Sequence, residues 1–259
     1  MGVLLSMLPL PFLFHIQIHA NWYFGLPLSA WFVYLSDHFL DIYLNPSIHT
    51  PRHLFIKQNK NYIITLLVVL FIVLLGLVFY HFQLTLLITG ILVALLCFIY
   101  FVLLAFPKLI QRIYFPNKEL AVSFIYASGI YSCVLSQTIT LSSLLYYFIF
   151  MALVYQSLIF NSMLEIETDI FNKQVSAAVH FGLNNSSKVF NIISFVIGFM
   201  LMLLLSLPQQ NKMPLSIIYL IMTILNYVLF RYGKTSNQMA RVRMLSEMVF
   251  WLPAFCLFF

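Results

Sequence analysis

Nine long apolar segments, separated by short polar breaks, run the length of this 259-residue chain. Each is close to the about 20 residues with which a helix crosses the hydrocarbon core of a bilayer. Because 63% of the residues are apolar and only 8% are charged, against ~25% charged in soluble domains, a soluble fold is excluded. The sequence predicts an all-α, polytopic transmembrane helical bundle in one domain, 1–259. Its spans are predicted near 2–18, 22–44, 62–80, 84–106, 119–136, 141–163, 189–207, 214–231 and 244–259.

The basic residues predict how this bundle is oriented. Of the 13 Lys and Arg residues, all but Lys212 follow the second, fourth, sixth and eighth segments. Since Lys and Arg concentrate in the cytoplasmic loops of membrane proteins, these breaks and the N-terminus are predicted to face the cytoplasm. We therefore expect a multi-pass integral protein of a plasma or inner membrane, in contact with membrane lipid and without a nucleic-acid partner.

Five of the seven carboxylates lie in two short groups, each at the cytoplasmic end of an apolar segment. An acid near a bilayer costs on the order of a few kcal/mol unless it is paired, hydrated or bound to a metal. In the first group, Asp37 and Asp41 are four residues apart, which puts them on one helix face about 6 Å from each other. That spacing suits a divalent cation, although for this pair alone a hydrated helix end is an equal alternative.

The second group strengthens the cation-binding interpretation. Asn161, Glu165, Asp169 and Lys173 recur every four residues and are predicted to share one helix face, whereas Glu167 lies off that face. Mg²⁺ is typically held by one or two carboxylates together with substrate phosphate oxygens and water. Two acidic helix ends on the same side of the membrane are therefore suited to hold a metal-bridged diphosphate between them.

These groups, in the second and sixth of nine segments, resemble the two aspartate-rich motifs of the UbiA superfamily of intramembrane prenyltransferases. The first motif of that family commonly reads Asn-Asp-x-x-Asp-x-x-x-Asp. Asp37 and Asp41 match its last two acids, and Val33 and Tyr34 stand at its first two positions. The second motif resembles Asp-x-x-x-Asp followed by Gly or Lys and a small hydroxyl residue. It is matched by Glu165, Asp169, Lys173 and Ser176. Two further stretches look like subfamily signatures: Lys118-Glu119-Leu120 and Thr50-Pro51-Arg52-His53.

The resemblance implies a UbiA-like fold and an enzyme that transfers a prenyl group from a prenyl diphosphate to an aromatic or other lipophilic acceptor. Mg²⁺ is the implied cofactor, and the active site would open toward the cytoplasm. The implied catalytic and metal-binding residues are Asp37, Asp41, Glu165 and Asp169. The implied diphosphate-binding residues are Arg52, Lys118, Lys173 and Asn161.

Two other functions stay open at this point. A UbiA-like protein whose motifs have decayed would keep the bundle without catalysis. An ion-coupled transporter would also carry intramembrane acids, but transporters place their sites near the bilayer midplane on broken helices, whereas these acids lie at the ends of apolar runs. A phosphatidyl-alcohol phosphotransferase is disfavoured because its Asp-Gly-x-x-Ala-Arg signature is absent.

Overall fold

The computed structural model describes residues 2–44, 51–79, 84–105, 118–172, 176–207, 212–233 and 239–258, and in those residues it is helical without a β-strand. The first six helices are α1 (Gly2–Met7), α2 (Pro9–Leu13), α3 (Ala20–Leu44), α4 (Pro51–Gln58), α5 (Lys60–Phe79) and α6 (Leu84–Ala105). They are followed by α7 (Lys118–Leu135), α8 (Leu141–Leu164), α9 (Ile166–Phe171), α10 (Ala177–Leu205), α11 (Met213–Gly233) and α12 (Met239–Met248). A 3₁₀ helix, Val249–Phe258, comes last.

Five helices are long and apolar enough to cross a membrane, namely α5, α6, α8, α10 and α11. The chain is therefore a multi-pass helical membrane protein, as its hydropathy predicts. Helix α8 is the centre of the bundle, since 61% of its most apolar stretch is buried, against 11% in α5. It packs against α7, α10 and α11, while α5 and α6 leave about half of their Leu, Ile, Val and Phe side chains exposed, as helices bordered by lipid do.

Helix α8 starts where the sequence carries a capping box. The Thr140 side chain accepts a hydrogen bond from the Ser143 N–H, and the Ser143 side chain accepts one from the Thr140 N–H. These bonds satisfy two backbone donors that a helix start otherwise leaves unpaired. They fix the beginning of the central helix, whose other end, at Leu164, carries the second group of acids.

The first apolar segment differs from the continuous helix predicted over 2–18. It forms α1 and α2, which end at Leu13, because Pro9 and Pro11 cannot continue an existing α-helical hydrogen-bond ladder. The backbone then turns at His15, which has a φ of 52°. Both short helices pack against the C-terminal 3₁₀ helix, where Ser6 donates a buried hydrogen bond of 2.9 Å to the Phe250 carbonyl. The two ends of the chain are thus packed together.

The break predicted over 172–188 also differs from the observed structure, in which much of this segment is helical. Helix α10 begins at Ala177 and continues to Leu205, with one bend at Gly182. This glycine has φ 76° and ψ 159°, a backbone conformation that is essentially restricted to glycine. The bend separates a short arm, 177–181, from the apolar part of the helix.

A polar network joins the three most buried spans. Gln156 in α8 donates to Ser194 in α10 at 2.7 Å and accepts from Asn226 in α11 at 3.1 Å. Gln156 and Asn226 are fully buried. Hydrogen bonds of this kind between helices contribute about 0.6 kcal/mol each in membrane proteins, so the network holds the register of α8 against its two neighbours.

Candidate functional site

Lys118, the first residue of α7, connects three helices at one end of the bundle. Its ammonium nitrogen lies 3.6 Å from Asp37 Oδ2 and 3.9 Å from Asp41 Oδ2, and both aspartates stand near the end of α3. The Tyr100 hydroxyl of α6 donates to Asp37 Oδ1 at 3.2 Å. The aspartates therefore do share one helix face, as their spacing predicts, and a lysine distant in sequence lies between them.

Glu119, the next residue, caps helix α10. Its carboxylate accepts a 2.7 Å hydrogen bond from the Ala177 N–H, and the glutamate is buried. A carboxylate at a helix start satisfies an unpaired backbone donor and interacts favourably with the positive end of the helix dipole. The Lys118-Glu119 pair thus fixes two elements at once, the end of α3 and the start of α10.

Asp169 in α9 is the member of the second acidic group that belongs to the same place. The side chain is buried, and burial raises its pKa, while Ser176 and the positive charge of Lys118 lower it in part. Ser176 Oγ is itself buried and lies near this carboxylate without meeting the geometry of a full hydrogen bond. Asp169 and Glu119 also repel each other electrostatically. We name Asp37, Asp41, Tyr100, Lys118, Glu119 and Asp169 the Lys118 cluster.

Asn161 and Glu165 contact a different helix. Glu165 forms an ion pair with Arg243 of α12, whose guanidinium also lies 3.4 Å from Glu247. The Asn161 amide oxygen accepts a 3.0 Å hydrogen bond from Ser246. Helix α12 is therefore attached to the end of α8 by one ion pair and one hydrogen bond.

The predicted stripe along one helix is therefore split between two neighbours. Helix α8 ends at Leu164, and Glu165, with φ −98° and ψ 6°, separates it from α9. The backbone bonds continue across this position, since the Glu165 N–H donates to Asn161 and the Asp169 N–H donates to Glu165. The side chains, however, find partners on opposite sides: Glu165 on α12 and Asp169 near α7.

Four carboxylates and one ammonium make up the charges of the Lys118 cluster. Carboxylate oxygens are the ligands that Mg²⁺ prefers, and one or two of them suffice when phosphate and water complete the shell. In the described part of the chain, no three His, Cys, Asp or Glu side chains come close enough together to form a metal-binding group. The donor set thus fits a metal held by a pair such as Asp37 and Asp41 together with ligand oxygens.

Two predicted diphosphate-binding residues are not described. Lys173 lies outside the residues that the structure describes. Arg52 is part of helix α4, but its side chain is not among those that the structure describes. Their roles stay predictions. Lys118, by contrast, does lie beside the aspartates of the first motif.

The sequence predicts no role for Tyr100 or Ser246, and it presents Glu119 only as part of a signature. A tyrosine within an apolar helix carries no local signal of a partner 63 residues away. Glu119 does carry one signal of a structural role: it is one of only seven carboxylates in the chain, and it stands at the start of an apolar helix. The spacing of four residues predicts a helical pair of Arg243 with Glu247, a contact that is present, while the pair of Arg243 with Glu165 depends on tertiary packing.

The comparisons with known proteins add no relative to this description. No protein-family model, no curated protein and no solved structure matches the chain.

Proposed function

We propose that the chain is a divergent UbiA-like intramembrane prenyltransferase that takes a prenyl diphosphate and a lipophilic acceptor at the Lys118 cluster. The observation that carries this proposal is the contact of one lysine with both aspartates of the first acidic motif, within electrostatic range of one acid of the second motif. Asp37 and Asp41 contact Lys118 directly, and the buried Asp169 interacts with the same ammonium. Glu165 is one helical turn from Asp169, about 6 Å along the chain.

Together with a divalent cation, the charges of the cluster suit a diphosphate more than a neutral ligand. Bound Mg²⁺ would neutralise the diphosphate as the bond between its oxygen and the prenyl carbon breaks. Asp37 and Asp41 would hold that metal as a pair, and Asp169 would hold a metal across the diphosphate from them. Lys118 would direct fixed positive charge at the leaving group, where such charge is worth more in a water-poor site than in bulk solvent. The electron-rich acceptor would then take up the prenyl carbon and release a proton.

The proposal includes nine membrane crossings, of which five belong to the helices identified by length and composition. Helix α3, with 25 residues, is about 38 Å long, and α7 is about 27 Å. Helix α12 and the 3₁₀ helix together extend about 35 Å, against a hydrocarbon core of about 30 Å.

The ninth crossing would be the first segment, in which about 18 Å of helix is followed by an extended stretch. A non-helical backbone is tolerated at membrane depth only where protein covers it. The stretch is covered in part, since Phe14 and Ile16 are buried while His15, Gln17 and His19 are exposed. The Gln17 carbonyl accepts a 3.0 Å hydrogen bond from Gln137. Gln137 follows the end of α7 that is opposite to Lys118, which agrees with this placement.

The ion pairs favour a second candidate, a UbiA-like protein without catalysis. Lys118 neutralises part of the charge of the first acidic group, and Arg243 pairs with Glu165 in the second. In a decayed enzyme such pairs would be purely structural. A transporter is less well supported, because the acids lie at helix ends while the polar network at Gln156 and Asn226 carries no charge.

Incubation of the purified protein in detergent with labelled prenyl diphosphates, Mg²⁺ and a membrane lipid extract tests the proposal. We expect a labelled lipophilic product with the wild type and its loss with Asp37→Asn or Asp169→Asn. Glu167→Gln is the matched control, because Glu167 is an exposed acid of the same short helix as Asp169 and should keep wild-type activity.

The outcomes separate the candidates. Diphosphate binding without product, in the presence of an extract that contains the acceptor of other prenyltransferases, supports the non-catalytic candidate. Absence of any Mg²⁺-dependent binding of prenyl diphosphates by the wild type refutes the enzyme.

A further inference from the structure

Lys118 occupies the position between two carboxylates that a divalent cation would take. Its ammonium is within 4 Å of one oxygen from each aspartate, at 3.6 and 3.9 Å. Neither contact is as short as the 2.7–2.9 Å of a strong charge-assisted hydrogen bond. The ammonium therefore bridges the pair loosely, as a mobile cation on a flexible stem does.

The surroundings of Lys118 offer its ammonium a second place to go. Besides Asp37 and Asp41, the positive charge of Lys118 acts on the buried Asp169, whose carboxylate lies near the buried Ser176 Oγ. The backbone of Lys118 is fixed because Glu119 is tied to the start of α10. The side chain keeps about a third of its surface exposed, 35%, so it can reorient without any helix moving.

We propose that Lys118 is a tethered counter-cation that exchanges with metal: in the ligand-free protein it bridges Asp37 and Asp41, and when a metal diphosphate arrives it moves onto the phosphate oxygens. This inference rests on the proposed function and adds a role for the lysine before substrate binds. Lys118 then disfavours metal binding on its own and favours metal and diphosphate together. The site is in this way selective for the complex over the free cation.

The substitution Lys118→Gln tests the exchange because it should change two affinities in opposite directions. With Mn²⁺ as a paramagnetic substitute for Mg²⁺, binding of the metal alone to the purified protein should become about fivefold tighter, since a competing ion pair is removed. Binding of inorganic pyrophosphate at saturating Mn²⁺ should become about tenfold weaker, because a charged hydrogen-bond donor to the phosphate is lost. Electron paramagnetic resonance measures the affinity for Mn²⁺, and titration calorimetry measures the affinity for pyrophosphate.

Two variants control for indirect effects. Lys118→Arg keeps the charge and should hold both affinities close to those of the wild type, which shows that a loss of folding is not the cause. Lys188→Gln removes an exposed lysine of α10 and should change neither affinity.

The inference is overturned if Lys118→Gln leaves Mn²⁺ binding unchanged or weakens it, or if it leaves pyrophosphate binding unchanged. Failure of the proposed function looks different. A wild type that binds Mn²⁺ and pyrophosphate with the expected response to Lys118→Gln, yet transfers no prenyl group, refutes the enzyme and retains the exchange. A wild type that binds neither probe refutes both.

Discussion

Glu119 gives the sharpest test of how the site is held together, because it acts on a single backbone group. Its carboxylate accepts one buried hydrogen bond, 2.7 Å long, from the first N–H of α10. Hydrogen bonds to charged groups contribute about 1.5–3 kcal/mol, and part of that gain offsets the burial of the carboxylate. We therefore expect Glu119→Ala to destabilise the start of α10 by about 2 kcal/mol.

Glu119→Gln separates the hydrogen bond from the charge. The amide oxygen still accepts from Ala177, so only the interaction of the charge with the helix dipole is lost, about 1 kcal/mol or less. The expected order of local stability is thus wild type, then Gln, then Ala. If Glu119→Gln destabilised the start of α10 as much as Glu119→Ala does, the charge rather than the hydrogen bond would be what stabilises it.

Hydrogen exchange followed by mass spectrometry of the peptide that covers 176–181 measures this effect. The Ala177 amide is protected by Glu119, and the His180 amide by the Ser176 carbonyl at 2.9 Å. A loss of about 2 kcal/mol corresponds to exchange about 30-fold faster at both amides. The control Glu167→Ala should leave the exchange unchanged. Equal exchange in wild type and Glu119→Ala would refute the capping argument.

Two further predictions concern residues near this start of α10. Gly182→Ala should destabilise the protein by about 1–3 kcal/mol in denaturant titrations, since its φ of 76° and ψ of 159° disfavour any Cβ. Gly198→Ala, at a helical position with open space around it, should be neutral or stabilise by up to ~1 kcal/mol, and equal effects at the two glycines would contradict the strain argument. Burial raises the pKa of Asp169, so the folded state binds its proton more tightly than the unfolded state and stability should fall as pH rises through that raised pKa. Asp169→Asn should remove this slope and be the more stable protein at neutral pH, and an unchanged slope in unfolding measured against pH would show that another group titrates.

The long spans and their main breaks could be predicted because hydropathy is a local property. Helix α8, Leu141–Leu164, agrees with the segment predicted over 141–163, and the helix α6 agrees with the one over 84–106 in the same way. Prediction failed where local chemistry competes with hydropathy. Pro9 and Pro11 divide the first segment into two short helices. The polar residues before Lys188 belong to α10, because the start of that helix is held in the bundle by Glu119.

For the candidate site, the sequence indicated which side chains are unusual and on which helix faces some of them lie. Asp37 and Asp41 share a face because of their spacing, and that much follows from helix geometry. The identity of the partner across the bundle did not follow. Glu165 and Asp169 have the same periodic spacing, yet Glu165 pairs with Arg243 of α12 while Asp169 is buried near Ser176, because the non-helical backbone at Glu165 and the position of α12 decide what each one meets.

Hydropathy and residue spacing are enough to predict a helical membrane protein whose few acids collect at helix ends, because the cost of burying charge in lipid acts residue by residue. The tertiary structure alone decided the pairings: Lys118 with the acids of α3, Glu119 with the start of α10, and Arg243 with Glu165. Each pair joins residues more than 50 positions apart in the chain. Such contacts depend on how the spans pack around α8, and no local pattern encodes that packing.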